Sequence, residues 1–287
     1  MGNMEKYYSM KENCKMCGKE MALDYCREGY ELYKCVKCSF RQIRMDKMSL
    51  GVIHGAEYYG NSKYKDSVAL DKENSRRAKL LKRYVRGGSR IVDYGCGSGE
   101  FVNYIGHDYD IYGCDVSPGA VEVAKRRFPH HKERFFLPDE FFDKNEKSDA
   151  FCLWDVIEHI ENPDQLIRRL RKMLVENGII ILSTPDIEAL FAKLTKSHWP
   201  FMTPPDHLCF FSKRSIQYFA RKNGFKVCEW FARGKWVNIG FLVYKFNKVS
   251  SIKIPQKIVN IFQKGWLATL HIYVPTHDIQ YVVLRKR

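Results

Sequence analysis

Four cysteines near the start of the chain form two Cys-x-x-Cys pairs. Cys14 and Cys17 make the first pair, and Cys35 and Cys38 follow after a spacer of 17 residues. Each pair offers two thiolates from one turn, and a short hairpin brings the pairs together, which is the donor set that tetrahedral Zn²⁺ requires. Because four thiolates leave no open coordination position, the sequence predicts a structural zinc ion that folds a segment too small for a core of its own.

A glycine-rich loop in the middle of the chain predicts a nucleoside ligand. Residues 93–100 read DYGCGSGE, and Asp115 follows 22 residues after Asp93, at the end of the next apolar run. Gly95 and Gly97 let the backbone approach a ligand closely, because a Cβ would occupy that space. Asp115 is placed to accept hydrogen bonds from both ribose hydroxyls. The third glycine comes one residue earlier than in a dinucleotide fingerprint, and an acid opens the following helix, so the loop favours a cationic sulfonium ligand over a pyrophosphate.

Two further stretches carry a family resemblance. Residues 148–163 read SDAFCLWDVIEHIENP, and residues 204–212 read PPDHLCFFS. With the glycine loop, they resemble class I S-adenosylmethionine (SAM) methyltransferases, most closely the small-molecule branch that includes the ubiquinone-pathway O-methyltransferases. The resemblance runs from about Tyr58 to the C-terminus. It implies an α/β fold: a Rossmann-like seven-stranded sheet with an antiparallel last strand inserted between the fifth and sixth strands, preceded here by a small zinc ribbon.

The resemblance also implies which residues hold the cofactor. SAM is expected at Asp93, Gly95, Gly97 and Asp115, with Trp154 and Asp155 beside its adenine and methionine parts. Residues 135–139 depart from the family pattern, so no adenine contact is inferred there. Tyr58 and Tyr59 resemble a lid segment over SAM, and packing alone is the alternative.

Two histidines are candidate general bases. Methyl transfer from SAM requires alignment and, for a hydroxyl acceptor, removal of a proton. His159 and His207 both follow predicted strands at the carboxyl edge of the sheet, where open α/β sheets bind ligands. The Asp206 carboxylate is expected to orient His207. For His159, a structural role beside Glu158 is the alternative.

Positive charge is concentrated at the two ends of the chain. Residues 1–90 have a net charge of +9, residues 91–190 of −8 and residues 191–287 of +14, which add to the total of +15. Such a field attracts nucleic acid, a membrane surface or a phosphorylated substrate, and solubility alone is the alternative.

An insertion at about residues 240–270 contains a candidate interfacial helix. Its apolar face consists of Ile258, Ile261, Phe262, Trp266 and Leu270, opposite Lys257 and Lys264. A basic amphipathic helix with a tryptophan fits an anionic bilayer, and a lid packed on its own domain is the alternative.

The sequence therefore predicts three parts and one activity. The parts are a zinc-ribbon segment (1–50), a lid and linker helix (51–88) and a methyltransferase domain (89–287). No signal peptide or spanning apolar run is present, so we expect a cytoplasmic protein, with peripheral contact at the inner membrane face as a further expectation. We expect O-methylation of a small or lipid- or sugar-linked anionic acceptor. The alternative is RNA methylation, with the ribbon and the basic last third holding RNA; it is less favoured because the basic regions contain no recognisable RNA-binding motif.

Overall fold

The computed structural model describes residues 12–44, 67–240, 242–243, 247, 254–263 and 270–287. The strands within these ranges are β1 (Met21–Arg27), β2 (Tyr30–Cys35), β3 (Arg41–Ile43), β4 (Arg90–Tyr94), β5 (Asp110–Cys114), β6 (Phe135–Phe136), β7 (Ser148–Trp154), β8 (Leu174–Pro185), β9 (Cys209–Phe210), β10 (Phe225–Asn238) and β11 (His271–Lys286). The helices are α1 (Ser67–Lys82), α2 (Glu100–Ile105), α3 (Pro118–Arg127), α4 (Pro138–Asp143), α5 (Pro163–Met173), α6 (Leu190–Thr195), α7 (Lys213–Lys222) and α8 (Gln256–Gln263).

Seven strands form the main sheet in the order β10-β11-β8-β7-β4-β5-β6. Strands β4 to β8 run parallel, and β11 lies antiparallel between β8 and β10. The central strands are near-continuous apolar runs because both of their faces are buried. The predicted Rossmann-like sheet with its inserted antiparallel strand is therefore confirmed.

Helices cover both faces of this sheet, and successive strand residues alternate between two hydrophobic cores. Val92 packs in the core beneath α4, α5 and α7. Its neighbour Ile91 packs in the core beneath α1, α2 and α3. The first core also contains Cys14, Cys35 and Cys38, with Cys17 packed against it, so the N-terminal segment is continuous with one face of the sheet.

Polar caps begin two of the crossover helices as the sequence predicts. The Ser117 hydroxyl accepts a hydrogen bond from the Ala120 N–H, and the Asn162 side chain accepts one from the Gln165 N–H. A proline follows each cap, at a position where the missing N–H costs nothing.

Three strands are longer than their apolar patterns predict. The apolar spacing before Gly178 predicts a helix that ends at this glycine, but α5 ends at Met173 and β8 begins at Leu174, which pairs with Ser148. Predicted strands over 225–231 and 280–284 extend to Asn238 and back to His271. This extension carries β10 and β11 as a hairpin beyond the carboxyl end of β8, because Pro185 at that end pairs with Ile279.

A second, four-stranded antiparallel sheet has the order β1-β2-β3-β9. Its first three strands come from the N-terminal segment, and β9 comes from the segment that carries His207. Residues 1–11 and 45–66, which include Tyr58 and Tyr59 and the predicted boundary between the zinc-ribbon segment and the lid, lie outside the described residues. The boundaries of the three predicted parts stay predictions.

The described part of the insertion is helical. In α8, Val259 is buried, whereas Ile258 and Ile261 are 43% and 58% exposed. Lys264 and Trp266 lie outside the described residues. Among the helices that the structure describes, none combines the length and hydropathy needed to cross a bilayer.

Candidate functional site

The glycine loop lies at the carboxyl end of β4 and is closed by backbone hydrogen bonds. Gly95 has φ +84°, and a Cβ there would overlap the Val156 side chain. The Gly97 N–H donates to Asp115 Oδ2 over 2.8 Å, and the Ser117 N–H donates to Asp115 Oδ1 over 2.9 Å. Asp115 therefore joins the loop to the end of β5, and the structure brings together Asp93, Gly95, Gly97 and Asp115 as the sequence predicts.

Asp93 is a buried carboxylate at the start of this loop. Its side chain is 2% exposed, and Oδ1 has no hydrogen-bond partner among the described residues. Burial raises the pKa of Asp93 to about 7, against the opposing attraction of the Arg77 guanidinium. A buried carboxylate oxygen without a partner, at the start of a glycine-rich loop, fits the ammonium group of SAM.

Glu100 lies at the start of α2, where its carboxylate is paired. Its carboxylate accepts the Ser98 hydroxyl at 2.8 Å and forms an ion pair with Arg127. The carboxylate therefore has a cationic partner, and its negative charge still contributes to the raised pKa of Asp93.

Trp154 is the last residue of β7 and Asp155 follows it, and their side chains lie in different surroundings. Trp154 is buried, with an edge-to-face contact to Phe101 at 5.4 Å between ring centroids. Asp155 has φ +57° and accepts the Ser183 hydroxyl at 2.8 Å. Arg77 donates to Asp155 Oδ2 over 2.8 Å and lies 5.2 Å from the Trp154 ring centroid. Their contact with SAM stays a prediction.

Sequence reasoning missed Arg77. It belongs to α1, its side chain is only 12% exposed, and it pairs with Asp155 and, more distantly, with Glu73 at 4.0 Å. Helical spacing could have identified it, because Asn74 and Leu81 lie three residues before and four residues after it and are both buried. Arg77 is therefore the cation that holds Asp155 at the carboxyl edge of the sheet.

The two candidate bases, His159 and His207, contact each other. Their rings meet edge to face at 4.7 Å between centroids. His159 Nδ1 lies 2.7 Å from the Asp206 carbonyl oxygen, and His207 Nδ1 lies 2.7 Å from the Phe201 carbonyl oxygen. A carbonyl only accepts, so each Nδ1 carries the proton and each Nε2 carries the lone pair. The Asp206 carbonyl acts on His159 and the Phe201 carbonyl holds His207 Nδ1, while orientation of His207 by the Asp206 carboxylate stays a prediction.

Glu158 lies against the histidine pair. It is 2% exposed, and its Oε2 has no hydrogen-bond partner within the described ranges. Burial, with a smaller contribution from the charge of Asp155, raises the pKa of Glu158 well above its usual value. One potential ligand atom from each of Glu158, His159 and His207 lies within 4.8 Å of the others, a set that could also hold a metal ion.

An aromatic ring and a cation complete the surroundings of His207. The Phe201 ring lies nearly parallel to the imidazole, at 15° and 6.3 Å between centroids. Lys235, on the extended part of β10, places its ammonium 4.4 Å from the Phe201 ring centroid. Phe201 therefore contacts both the Lys235 ammonium and the His207 ring, which places a positive charge close to the histidine pair.

The four ribbon cysteines come together as predicted. Cys14 Sγ lies 3.6 Å from Cys38 Sγ, and Cys17 Sγ lies 3.4 Å from Cys35 Sγ. All four sulfurs lie within 4.8 Å of one another. Tetrahedral Zn–S bonds would place sulfurs about 3.8 Å apart, so the donor set and its spacing fit zinc. Cys26 is exposed and free on β1.

A family model described as a methyltransferase domain matches residues 69–229 of the chain. The ubiquinone biosynthesis O-methyltransferase of Azorhizobium caulinodans is 31% identical over 102 residues, which are 34% of this chain and 40% of that protein. The cyclopropane-fatty-acyl-phospholipid synthase of Escherichia coli is 26% identical over 132 residues, 44% of this chain and 34% of that protein. The chain thus spans less than half the length of these relatives.

Solved structures share the fold at low sequence identity. A SAM-dependent methyltransferase from Archaeoglobus fulgidus has a TM-score of 0.50 and 16% identity, covering 84% of this chain and all of that one. The YcgJ protein of Bacillus subtilis has a TM-score of 0.50 and 14% identity, covering 73% of this chain and 97% of that one. The family match covers more than half of the chain and contains the glycine loop, Asp115 and the histidine pair. The chain therefore belongs to the methyltransferase domain family.

Proposed function

We propose that the protein methylates a hydroxyl oxygen of a small or lipid- or sugar-linked anionic acceptor, with the histidine pair removing the proton. The observation that carries this proposal is the pair of imidazoles whose Nδ1 atoms are held by backbone carbonyls. That arrangement leaves Nε2 as the basic atom of both rings. The ubiquinone O-methyltransferase relatives support a hydroxyl acceptor.

In this proposal the glycine loop holds the methyl donor. SAM supplies an electrophilic methyl group when it is bound. Asp93 receives the ligand ammonium, Asp115 accepts the ribose hydroxyls, and Gly95 and Gly97 leave room for the nucleoside. Trp154 and Asp155 form the neighbouring wall at the end of β7. Because transfer is an in-line displacement at carbon, these contacts contribute mainly alignment.

His207 is the proposed proton acceptor, with His159 as its partner. The acceptor hydroxyl donates to His207 Nε2, and the proton moves there as the oxygen attacks the methyl group. The Nδ1–H of His207 stays hydrogen-bonded to the Phe201 carbonyl, which stabilises the imidazolium that forms. Burial raises the pKa of Glu158, which disfavours a second negative charge beside the attacking oxygen.

Lys235 supports an anionic acceptor. Its ammonium lies over the Phe201 ring, which is stacked on His207. A phosphate or carboxylate on the acceptor would therefore meet a cation close to the reacting hydroxyl.

We also propose that Cys14, Cys17, Cys35 and Cys38 hold one structural Zn²⁺. The sulfur distances and the all-cysteine donor set support this assignment. A closed set of four thiolates assigns the metal to folding and not to the reaction.

Peripheral membrane contact of a cytoplasmic protein is proposed from exposed apolar side chains near the hairpin. Leu190 and Leu194 on α6 are 72% and 73% exposed, and Ile258 and Ile261 on α8 are also exposed. Neither helix contains an acidic residue. We expect the protein to sediment with vesicles rich in anionic lipid and not with neutral ones, and we expect Leu194→Glu to weaken sedimentation. Equal recovery with and without vesicles would end this idea.

The decisive experiment uses a metabolite extract and SAM that carries a deuterated methyl group. We expect mass spectrometry to find a labelled product that carries an acidic group. His207→Ala should abolish this product, while its affinity for the demethylated product, S-adenosylhomocysteine, stays within about threefold of wild type. His198→Ala, which removes an exposed histidine on a neighbouring turn, is the control and should turn over normally. Normal labelling by His207→Ala would refute the base assignment. Label that appears only in added RNA would favour RNA methylation instead.

A further inference from the structure

The zinc ribbon is hydrogen-bonded directly to the segment that carries His207. We call residues 206–210 the histidine strap. Strand β3 of the ribbon pairs antiparallel with β9 in this strap, with Arg41 opposite Phe210 and Gln42 opposite Cys209. One residue further along, the Ile43 N–H donates to the Leu208 carbonyl over 3.0 Å. The strap is therefore the outer strand of the ribbon sheet as well as part of the candidate site.

The other edge of the strap is bonded to the turn that carries Glu158 and His159. The Leu208 N–H donates to the Glu158 carbonyl over 2.8 Å, and the Cys209 thiol donates to the Ile160 carbonyl over 3.4 Å. His159 donates in turn to the Asp206 carbonyl. The strap thus lies between the ribbon and the turn, and a shift of β3 would change the distance between the two imidazoles.

Gln42 connects β3 to the first cysteine pair. It is 3% exposed, its Oε1 accepts the Lys15 N–H at 3.0 Å, and its Nε2 donates to the Asn13 carbonyl at 3.3 Å. Lys15 lies between Cys14 and Cys17, so the side chain of Gln42 bonds to the turn that a metal ion would fix. Leaving these two hydrogen bonds of the buried Gln42 side chain unmade is costly, so Gln42 holds β3 firmly against this turn.

We propose that the ribbon is a positioning element of the histidine pair: β3 and Gln42 hold the strap so that His207 keeps its place and its Nδ1–H tautomer beside His159. The proposal rests on the proposed role of His207 as proton acceptor and extends the function of the metal-binding segment from its own folding to the geometry of the site. Gln42 and Ile43 are positioning residues, because neither lies among the groups that would touch SAM or the acceptor.

The test compares two substitutions at one position in the full-length, zinc-loaded protein. Ile43→Pro removes the N–H that bonds to Leu208, and Ile43→Ala, the matched control, removes the side chain but keeps that N–H. The readout is the nitrogen spectrum of the imidazoles, which distinguishes an Nδ1–H ring from an Nε2–H ring, with His207→Gln and His159→Gln identifying the signals. Metal analysis and calorimetry with S-adenosylhomocysteine accompany each variant.

We expect Ile43→Pro to move the His207 and His159 signals from the pure Nδ1–H pattern toward a mixture, whereas Ile43→Ala keeps the wild-type pattern. Both variants should retain one zinc per chain and bind S-adenosylhomocysteine within about threefold of wild type. Unchanged imidazole signals in Ile43→Pro, or equal changes in both variants, would overturn the proposal.

Gln42→Met provides a second variant that keeps the side-chain volume and every backbone N–H. If Ile43→Pro loses its metal, Gln42→Met decides: a shift toward mixed tautomers supports the positioning role, and an unchanged spectrum refutes it. Failure of the proposed function is a separate outcome, which would be shown by wild-type protein that does not bind S-adenosylhomocysteine at all. The comparison of the imidazole signals is independent of that result because it needs no ligand.

Discussion

The carboxyl group of Asp93 makes ligand binding depend on pH. Its pKa is raised to about 7 by burial, while Asp115 and Glu100 add smaller upward contributions and Arg77 opposes them. The folded protein without ligand therefore holds this proton more tightly than the unfolded chain, and ionising Asp93 costs stability as the pH rises from about 4 to about 7. A cationic ligand reverses this preference, because its ammonium stabilises the carboxylate.

The size of the effect follows from the fraction of Asp93 that is ionised before binding. With a pKa of about 7, that fraction is about 3% at pH 5.5 and one half at pH 7. If the bound pKa lies below about 5, affinity rises about fifteenfold over this range, or about 1.6 kcal/mol. An α-amino group has a pKa of about 8, so the ligand remains protonated throughout.

Calorimetry with S-adenosylhomocysteine in buffers of different ionisation enthalpy measures both the affinity and the proton released. We expect close to one proton released per ligand at about pH 5.5. Asp93→Asn, the matched variant, should bind more weakly, release no proton through this group and lose the pH dependence. An affinity that is flat from pH 5.5 to pH 7 in the wild-type protein, or a slope that survives in Asp93→Asn, would refute the assignment.

Three further predictions concern the frame of the site. Gly95→Ala should lower the free energy of unfolding in urea by about 2–3 kcal/mol and abolish S-adenosylhomocysteine binding, because its Cβ would overlap Val156 at positive φ. Gly88→Ala, also at positive φ but in open space, should lower the free energy of unfolding by only about 1 kcal/mol. Arg77→Leu should lower the free energy of unfolding by about 2 kcal/mol in the same measurement, since it leaves Glu73 and the half-exposed Asp155 without their shared cation. Arg83→Leu, which removes an exposed ion pair, should change the free energy of unfolding by no more than about 0.5 kcal/mol. Cys17→Ser should lose the zinc found by metal analysis, and Cys26→Ser should retain it; equal zinc in both would contradict the ribbon assignment.

Much of the fold could be predicted because it depends on local patterns. Apolar runs such as Ile179–Leu182 identify buried parallel strands, and capping residues such as Ser117 identify helix starts. Strand order came from the family resemblance. The start of β8 could not be predicted, because Gly178 resembles a helix end and only the pairing of Leu174 with Ser148 makes the preceding residues a strand.

The parts of the site that form a sequence motif could be predicted, whereas the parts that depend on tertiary contacts could not. The glycine loop and the four cysteines are recognisable from type and spacing alone. Arg77 looked like a solvated helix charge, and its partner Asp155 is 78 residues away along the chain. The carbonyl oxygens that hold His159 and His207 belong to the backbone, so no side-chain pattern marks them.

The shared sheet of β1, β2, β3 and β9 has a consequence for how this protein can be divided. A cut between residues 44 and 67 would leave the two fragments joined, because the cysteine segment and the main sheet share one hydrophobic core and an edge contact between Phe40 and Phe211 at 5.1 Å. Removing residues 1–44 would strip the cover from Phe211 and from the outer edge of β9. The boundaries that the sequence suggests are therefore not boundaries between independent structural units. The N-terminal segment could not be moved to another protein without β9, which completes its sheet.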